Sequence, residues 1–361
     1  MKPMQTETAG KYHFETGIYR PPSEGGSASL LIRVTRNCPW NKCAFCGMYK
    51  QKKFALRSPE EVKGDIDAIA SLCLDLKAIS EELNDGGVVT REVIRILFQR
   101  EPSLNSSPGV VMVLDWLYSG GKTAFLQDAN SLMMRTENLV EIIEHLRHTF
   151  PSLVRVTSYA RSKTLARKSE EELGLIHQSG LDRLHVGLET GDETLLKRIK
   201  KGATPRDHIL GGKKAMAAGF QLSEYWMPGL GGKAMWKAHA VNTARVLNQI
   251  NPDYIRSRPF FPHPGTPMST DFENGEFQPL TPREQLVELR WMISELNVTS
   301  RVCFDHAGNH WRGKNGARLF SLSYEGYKFP EEKDRVLEFI EEGLKVPNGS
   351  AQSIPPGVVR L

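Results

Sequence analysis

The chain has 361 residues, 40% of them hydrophobic and 25% charged, with a formal net charge of +5. That balance excludes bulk disorder and collagen-like repeats, and the small charge argues against a dedicated nucleic-acid binder. No run of about eighteen apolar residues occurs, and the polar N-terminal stretch lacks a signal-peptide core, so a cytoplasmic location with no membrane partner is expected.

Residues 1–28 are polar and rich in Gly, Pro, Ser and Glu, and read as an extended N-terminal arm. A core domain is expected over residues 29–300, opening with a strand at 30–35. Helix starts are then marked by one recurring device. Ser58-Pro59, Thr204-Pro205 and Thr281-Pro282 each place a capping hydroxyl before a Pro at the first helical position, and Glu61, Asp207 and Glu284 follow three residues after the cap. Ser169 with Glu172 repeats the box without the Pro. Short apolar runs at 123–127, 153–159, 183–189, 220–226, 253–258 and 301–304 read as strands. Their starts lie roughly 30 to 45 residues apart, the length of a βα unit. The expected fold is therefore α/β, a partial or open (β/α) barrel of about six to seven parallel strands. A helical insertion at about 84–120 interrupts the rhythm, and residues 301–361 form a C-terminal extension that completes the substrate side, with an irregular tail from residue 345.

Three of the five cysteines, Cys38, Cys43 and Cys46, lie within nine residues directly after the first strand. Soft thiolates at this CX4CX2C spacing suit iron–sulfur or zinc. Three thiolates on one loop can each take an iron of a cuboidal [4Fe–4S] cluster, leaving one iron open. An open metal position does chemistry, whereas a closed one carries electrons or structure. A structural zinc site with Cys73, Cys303 or a His as fourth ligand is the alternative. Cys73, in an apolar helical run, is expected in the core.

The loop resembles the cluster-binding loop of the radical S-adenosylmethionine (radical SAM) superfamily. Members typically show CX3CX2C with an aromatic before the third Cys; Phe45 fills that position and the first gap here is one residue longer. The resemblance extends over roughly residues 28–270, and the segment from Arg256 to Thr266 is similar to one in proteins related to anaerobic coproporphyrinogen oxidase. It implies cofactor-binding residues at the C-terminal strand ends. Gln127 and Asp128 are expected at the SAM amino group. Ser158 and Arg161 lie at the end of the next strand, with Arg161 toward the methionine carboxylate or the substrate. Glu189 is expected on the ribose hydroxyls, and Met227, Gly229 and Gly231 beside adenine. Tyr159, Arg256, Arg258, Asp305, His306 and Asn309 are expected on the substrate side, with Arg256 and Arg258 sharing one strand face by the two-residue period.

The resemblance implies reductive cleavage of SAM at a [4Fe–4S] cluster to a 5′-deoxyadenosyl radical, which abstracts hydrogen from a small-molecule substrate. Too few residues precede the first strand for a cobalamin domain, and too few cysteines remain for a second four-Cys cluster. The basic patch of Lys50, Lys52, Lys53 and Arg57 suits a flavodoxin or ferredoxin-type electron donor, an anionic metabolite or a nucleic acid. The alternative functions are an iron–sulfur electron carrier or sensor, and a tRNA-modifying radical SAM enzyme.

Overall fold

The computed structural model describes residues 12–17 and 29–346. Most of the expected arm over 1–28, and nearly all of the expected irregular tail, lie outside the described residues. The chain forms two compact units, one comprising Met1–Arg36, Phe54–Tyr159 and Leu175–Asp182, the other Asn37–Lys53, Ala160–Gly174 and Arg183–Leu361.

In the first unit β1 (Ser29–Arg33) leads into a short antiparallel pair, β2 (Thr35–Arg36) and β3 (Ala55–Leu56). Three helices follow, α1 (Pro59–Glu82), α2 (Arg91–Arg100) and α3 (Pro108–Tyr118), before β4 (Thr123–Gln127), α4 (Thr136–Thr149) and β5 (Arg155–Ala160). β1 pairs in parallel with β4, and β4 with β5. The helix α1 buries Val62, Ile66, Ile69, Leu72 and Leu76, a stripe at three- and four-residue spacing. It packs on α4. Each such side chain contributes about 1.5–3 kcal/mol by burial. Cys73 sits at the stripe's edge, half-buried, and burial pushes its thiol up to about 12. A thiol so hard to ionise is a poor metal ligand or nucleophile.

Next in sequence are α5 (Ser162–Arg167) and α6 (Glu170–Gln178). The second unit continues through β6 (Arg183–Glu189), α7 (Glu193–Arg198), α8 (Pro205–Ala217), β7 (Gln221–Trp226), α9 (Gly232–Ile250) and β8 (Tyr254–Ser257). It ends with α10 (Pro267–Glu273), α11 (Pro282–Glu295), β9 (Arg301–Cys303), β10 (Tyr327–Lys328) and α12 (Lys333–Leu344). The pairs β6–β7, β7–β8 and β8–β9 are parallel, and β10 closes on β9 antiparallel. Strands in sequential order joined by helical crossovers are the α/β partial-barrel class read from the sequence.

All three hydroxyl–Pro–acid boxes form with reciprocal bonds, at Ser58–Glu61, Thr204–Asp207 and Thr281–Glu284. Ser169 and Glu172 make the same exchange. The pairs β2–β3 and β9–β10 were not anticipated, because two-residue ladders are too short to show a period. Among the described residues no helix is long and apolar enough to cross a membrane.

Candidate functional site

The cysteine loop belongs to the second unit, where it docks on the turn between α7 and α8. Ala44 donates its backbone N–H to the Ile199 carbonyl (2.8 Å), and Trp40 Nε1 donates to the Lys200 carbonyl (2.7 Å). Gly202, at φ +71°, makes room for the indole, since a Cβ there would lie 2.3 Å from the Trp40 ring. The ring is covered in turn by Arg161, whose guanidinium sits 5.1 Å from its centroid and donates to the Lys201 carbonyl (2.7 Å). Within the loop, Lys50 Nζ bonds the carbonyls of Asn41 and Cys43, and Asn37 and Asn41 take the left-handed turns the path requires. Ala44 packs with Leu195, Ile199, Met227, Leu230, Phe260 and Met268, with Phe45 against the same cluster. The three thiols are therefore presented by a loop fixed at several points.

Glu189 and Lys201 lie within electrostatic reach of Cys43 and Cys46. Glu189 ends β6 beyond a bulge, at φ +63°, and its Oε1 accepts from Lys201 Nζ at 2.7 Å. A non-glycine residue held in that region is strained, and such strain gathers at functional sites. Gly187 is what lets the pair lie over the strand, because a Cβ there would be 2.2 Å from Glu189 Oε1 and 2.9 Å from Lys201 Nζ. Lys201 also lies 6.0 Å from the Phe45 ring centroid. Burial raises the Cys43 and Cys46 thiols, and the positive charge of Lys201 opposes it at both, joined at Cys43 by Arg161. Those two cations favour thiolate and would offset a bound anionic cluster.

Among the described residues, no three His, Cys, Asp or Glu side chains converge on one metal ion. A cuboidal cluster gives each thiolate its own iron, a demand that three thiols on one loop fit.

The loop after β7 carries Met227, Gly229 and Gly231. His239 on α9 contacts the Met227 carbonyl through Nε2 (3.0 Å) and Thr190 through Nδ1 (2.7 Å). Burial drops this imidazole to about 4. Gly229, at φ +85°, donates its N–H to Glu288 Oε2 at 2.5 Å, and Gln285 of the same helix leaves no room for a Cβ there. Glu288 is fully buried and its carboxyl is pushed up to about 8 by burial. Gly231 is the N-cap of α9.

Of the two arginines expected on one strand face, the structure separates the roles. Arg256 is 1% exposed and held within the fold: its Nε donates to Ser223 Oγ, its Nη1 bonds the Tyr324 carbonyl and Asp305 Oδ2, and its guanidinium carbon lies 4.1 Å from the Tyr324 ring centroid. It braces Asp305, which burial raises against the pull of Arg256. β8 ends at Ser257, so Arg258 lies past the ladder, half-buried, with no acceptor on its guanidinium among the described residues. Asn309 is likewise spent on structure. It accepts from Ser257 Oγ and donates to the carbonyls of Ser257 and His306, which ties the post-β9 loop to the end of β8. His306 is lowered to about 4 by burial and by Arg258.

The remaining expected residues lie in the first unit. Asp128 Oδ2 is held by Arg33 Nε and Nη2 (3.1 and 2.8 Å), and Gln127 Oε1 accepts from the Gly17 N–H (2.8 Å). Gly17 crosses so closely that a Cβ on it would lie 2.4 Å from Asp128 Oδ1. Two residues earlier Glu15 bonds Arg33 and Arg36 and lies 3.6 Å from Arg57. Asp128 thus has a protein cation where a SAM ammonium was expected. Ser158 is fully buried and donates to the Tyr159 carbonyl, while the half-buried Tyr159 ring stands edge-on to Phe125. Arg161, expected at a methionine carboxylate, supports the cysteine loop.

Sequence reasoning missed Trp40, Glu288 and His239. Only Glu288 left a signal, as an acid on the apolar face that also carries Gln285, Leu289 and Met292.

No protein-family model and no curated protein matches the chain. Solved structures do. An N-terminally truncated Elp3 from the archaeon Methanocaldococcus infernus matches at 15% identity and TM-score 0.45, covering 68% of this chain and 60% of that one. Methylornithine synthase matches at 14% identity and TM-score 0.44, covering 92% and 77%. Coproporphyrinogen III oxidase from Escherichia coli, described as a radical SAM enzyme, matches at 14% identity and TM-score 0.45, covering 76% and 54%. The chain spans about 60% of the length of the Elp3 structure.

Proposed function

We propose that the chain is a radical SAM enzyme acting on a small-molecule substrate. The observation that carries the reading is the pinned CX4CX2C loop, with Cys43 and Cys46 within electrostatic reach of the Glu189–Lys201 pair at the C-terminal end of β6. Cys38, Cys43 and Cys46 would hold a [4Fe–4S] cluster, which when bound supplies the electron that splits SAM and so provides a 5′-deoxyadenosyl radical for hydrogen abstraction.

The chain's own residues do the rest. Lys201 and Arg161 balance negative charge at the loop. Glu189 offers two carboxylate oxygens, and a diol can take the one that Lys201 leaves open. The loop from Met227 to Gly231, pinned from α9 and α11, supplies close backbone approach for a flat base. Phe45, Met227, Leu230 and Phe260 form the apolar wall that keeps water from a reactive intermediate. Lys52 and Lys53, exposed beside the cysteine loop, suit an acidic flavodoxin or ferredoxin-type donor.

The test is anaerobic reconstitution with iron and sulfide, addition of dithionite and SAM, and chromatography of the products. Release of 5′-deoxyadenosine and methionine is expected. A fully reduced cluster that leaves SAM intact would point to an electron carrier instead.

A further inference from the structure

We infer that Arg258 and His306 form an oxyanion subsite and that the substrate is held there by a carboxylate. The inference names the substrate class for the enzyme proposed above and rests on that reading only for calling the ligand a substrate.

One peptide fixes the hydrogen-bonding state of the histidine. The Gly308 N–H donates to His306 Nδ1 at 3.0 Å, so this nitrogen carries a lone pair. The proton of the neutral ring then sits on Nε2, which is buried and has no partner among the described residues. The ring is neutral at pH 7, since burial and the charge of Arg258 bring it to about 4. The Gly308 carbonyl meanwhile engages His310 Nδ1 at 2.7 Å, and Asn309 clamps the loop to Ser257, so His306 is not free to turn elsewhere for an acceptor. A buried N–H without a partner is rare in a folded chain and asks what the missing acceptor is.

Arg258 supplies the second half. It is half-buried at the end of β8, close enough to depress His306, and no carboxylate pairs with it among the described residues. The nearest acid in sequence to His306, Asp305, is taken by Arg256. A guanidinium and a neutral N–H donor together match the two oxygens of a carboxylate, with charge-assisted bonds and one unit of charge balanced. A phosphate dianion would leave charge and oxygens unmet.

The probes are glutarate and benzoate, each against its amide, and inorganic phosphate, titrated onto the reconstituted protein by ligand-observed NMR. Each acid should bind at least about tenfold more tightly than its amide, as loss of one charge-assisted contact implies. Arg258→Gln should abolish that preference, Arg258→Lys should keep part of it, and His306→Phe should weaken acid binding with circular dichroism unchanged. Equal binding of acids and amides, a preference that survives in Arg258→Gln, binding of neither, or phosphate bound more tightly than both acids would overturn the assignment. The same titration on the Cys38→Ala/Cys43→Ala/Cys46→Ala protein separates the two readings. A preserved acid preference with no SAM cleavage in the wild type sinks the radical reading alone. Intact SAM cleavage without the preference sinks the subsite alone.

Discussion

Glu288 makes stability depend on pH in a way that one substitution should erase. Its carboxyl is 0% exposed and is raised from 4.5 to about 8 by burial, against the single bond from the Gly229 N–H. The folded state therefore holds this proton more tightly than the unfolded chain does. The stabilisation is complete below about 4.5 and is lost as pH rises through about 8. The difference of about 3.5 units corresponds to about 5 kcal/mol, or about 1.4 kcal/mol per pH unit inside that window. Glu288→Gln keeps an oxygen for the Gly229 N–H and removes the titration. Glu224, a buried acid whose carboxylate oxygens have no partner among the described residues, is the same in both proteins and cancels in the difference. Urea unfolding of both proteins at pH 5 to 8.5 should show the variant gaining on the wild type by about 1.4 kcal/mol per unit. Stability profiles that run parallel would refute the buried, protonated carboxyl. Near-zero gain with normal SAM affinity at high pH would mean that the loop opens and lets water reach it.

Other outcomes follow from the same structure. The triple cysteine-to-alanine protein should lose the brown absorbance and the iron, about four per chain, that the reconstituted wild type binds; a full iron complement in that variant contradicts the cluster assignment. Glu189→Ala should weaken SAM binding by about 1.5–3 kcal/mol, read by equilibrium dialysis, and an unchanged affinity removes Glu189 from the cofactor site. His208, fully buried with neither ring nitrogen partnered among the described residues, is lowered well below 6.5, first by burial and then by Lys201 and Arg161. The wild type accordingly loses stability as pH falls below 6.5, whereas His208→Leu should be neutral or stabilising by about 1 kcal/mol at pH 7 and flatter in acid. A loss of more than about 2 kcal/mol on thermal unfolding would show that the imidazole has a partner in solution.

What the sequence disclosed was local. The cysteine triad is contiguous, the capping boxes span four residues, and the strand runs keep their period, so each could be read in place. What the cysteine loop rests on could not. Trp40 meets Gly202 and Lys200, about 160 residues away, and nothing at either end announces the other. Period-two reasoning put Arg256 and Arg258 on one face, but that period holds only while the ladder lasts, and β8 stops between them. Asp128 was read from its place at a strand end, and that place gives no sign of Arg33, which holds it from another strand. Glu288 was legible as an oddity, an acid on an apolar stripe, without any hint that it holds a backbone N–H.

The crossing of residues 12–17 also sets an order of assembly. Glu15 can meet Arg33, Arg36 and Arg57 once residue 57 has been synthesised, and those contacts close short loops. The seat of Gly17 on Gln127 closes 110 residues and waits for about 70 more to be made. At roughly 5–20 residues per second on a ribosome the interval is about 4 to 14 seconds. In that interval the bridges to Glu15 can form, while the Gln127 side chain that receives Gly17 does not yet exist. A glycine at position 17 lets that late step finish without displacing Asp128, whereas any side chain would have to push past a carboxylate already claimed by Arg33. The Glu15 cluster thus acts as a tether in time, and its removal should show first as slower refolding of β4 and only second as lost stability.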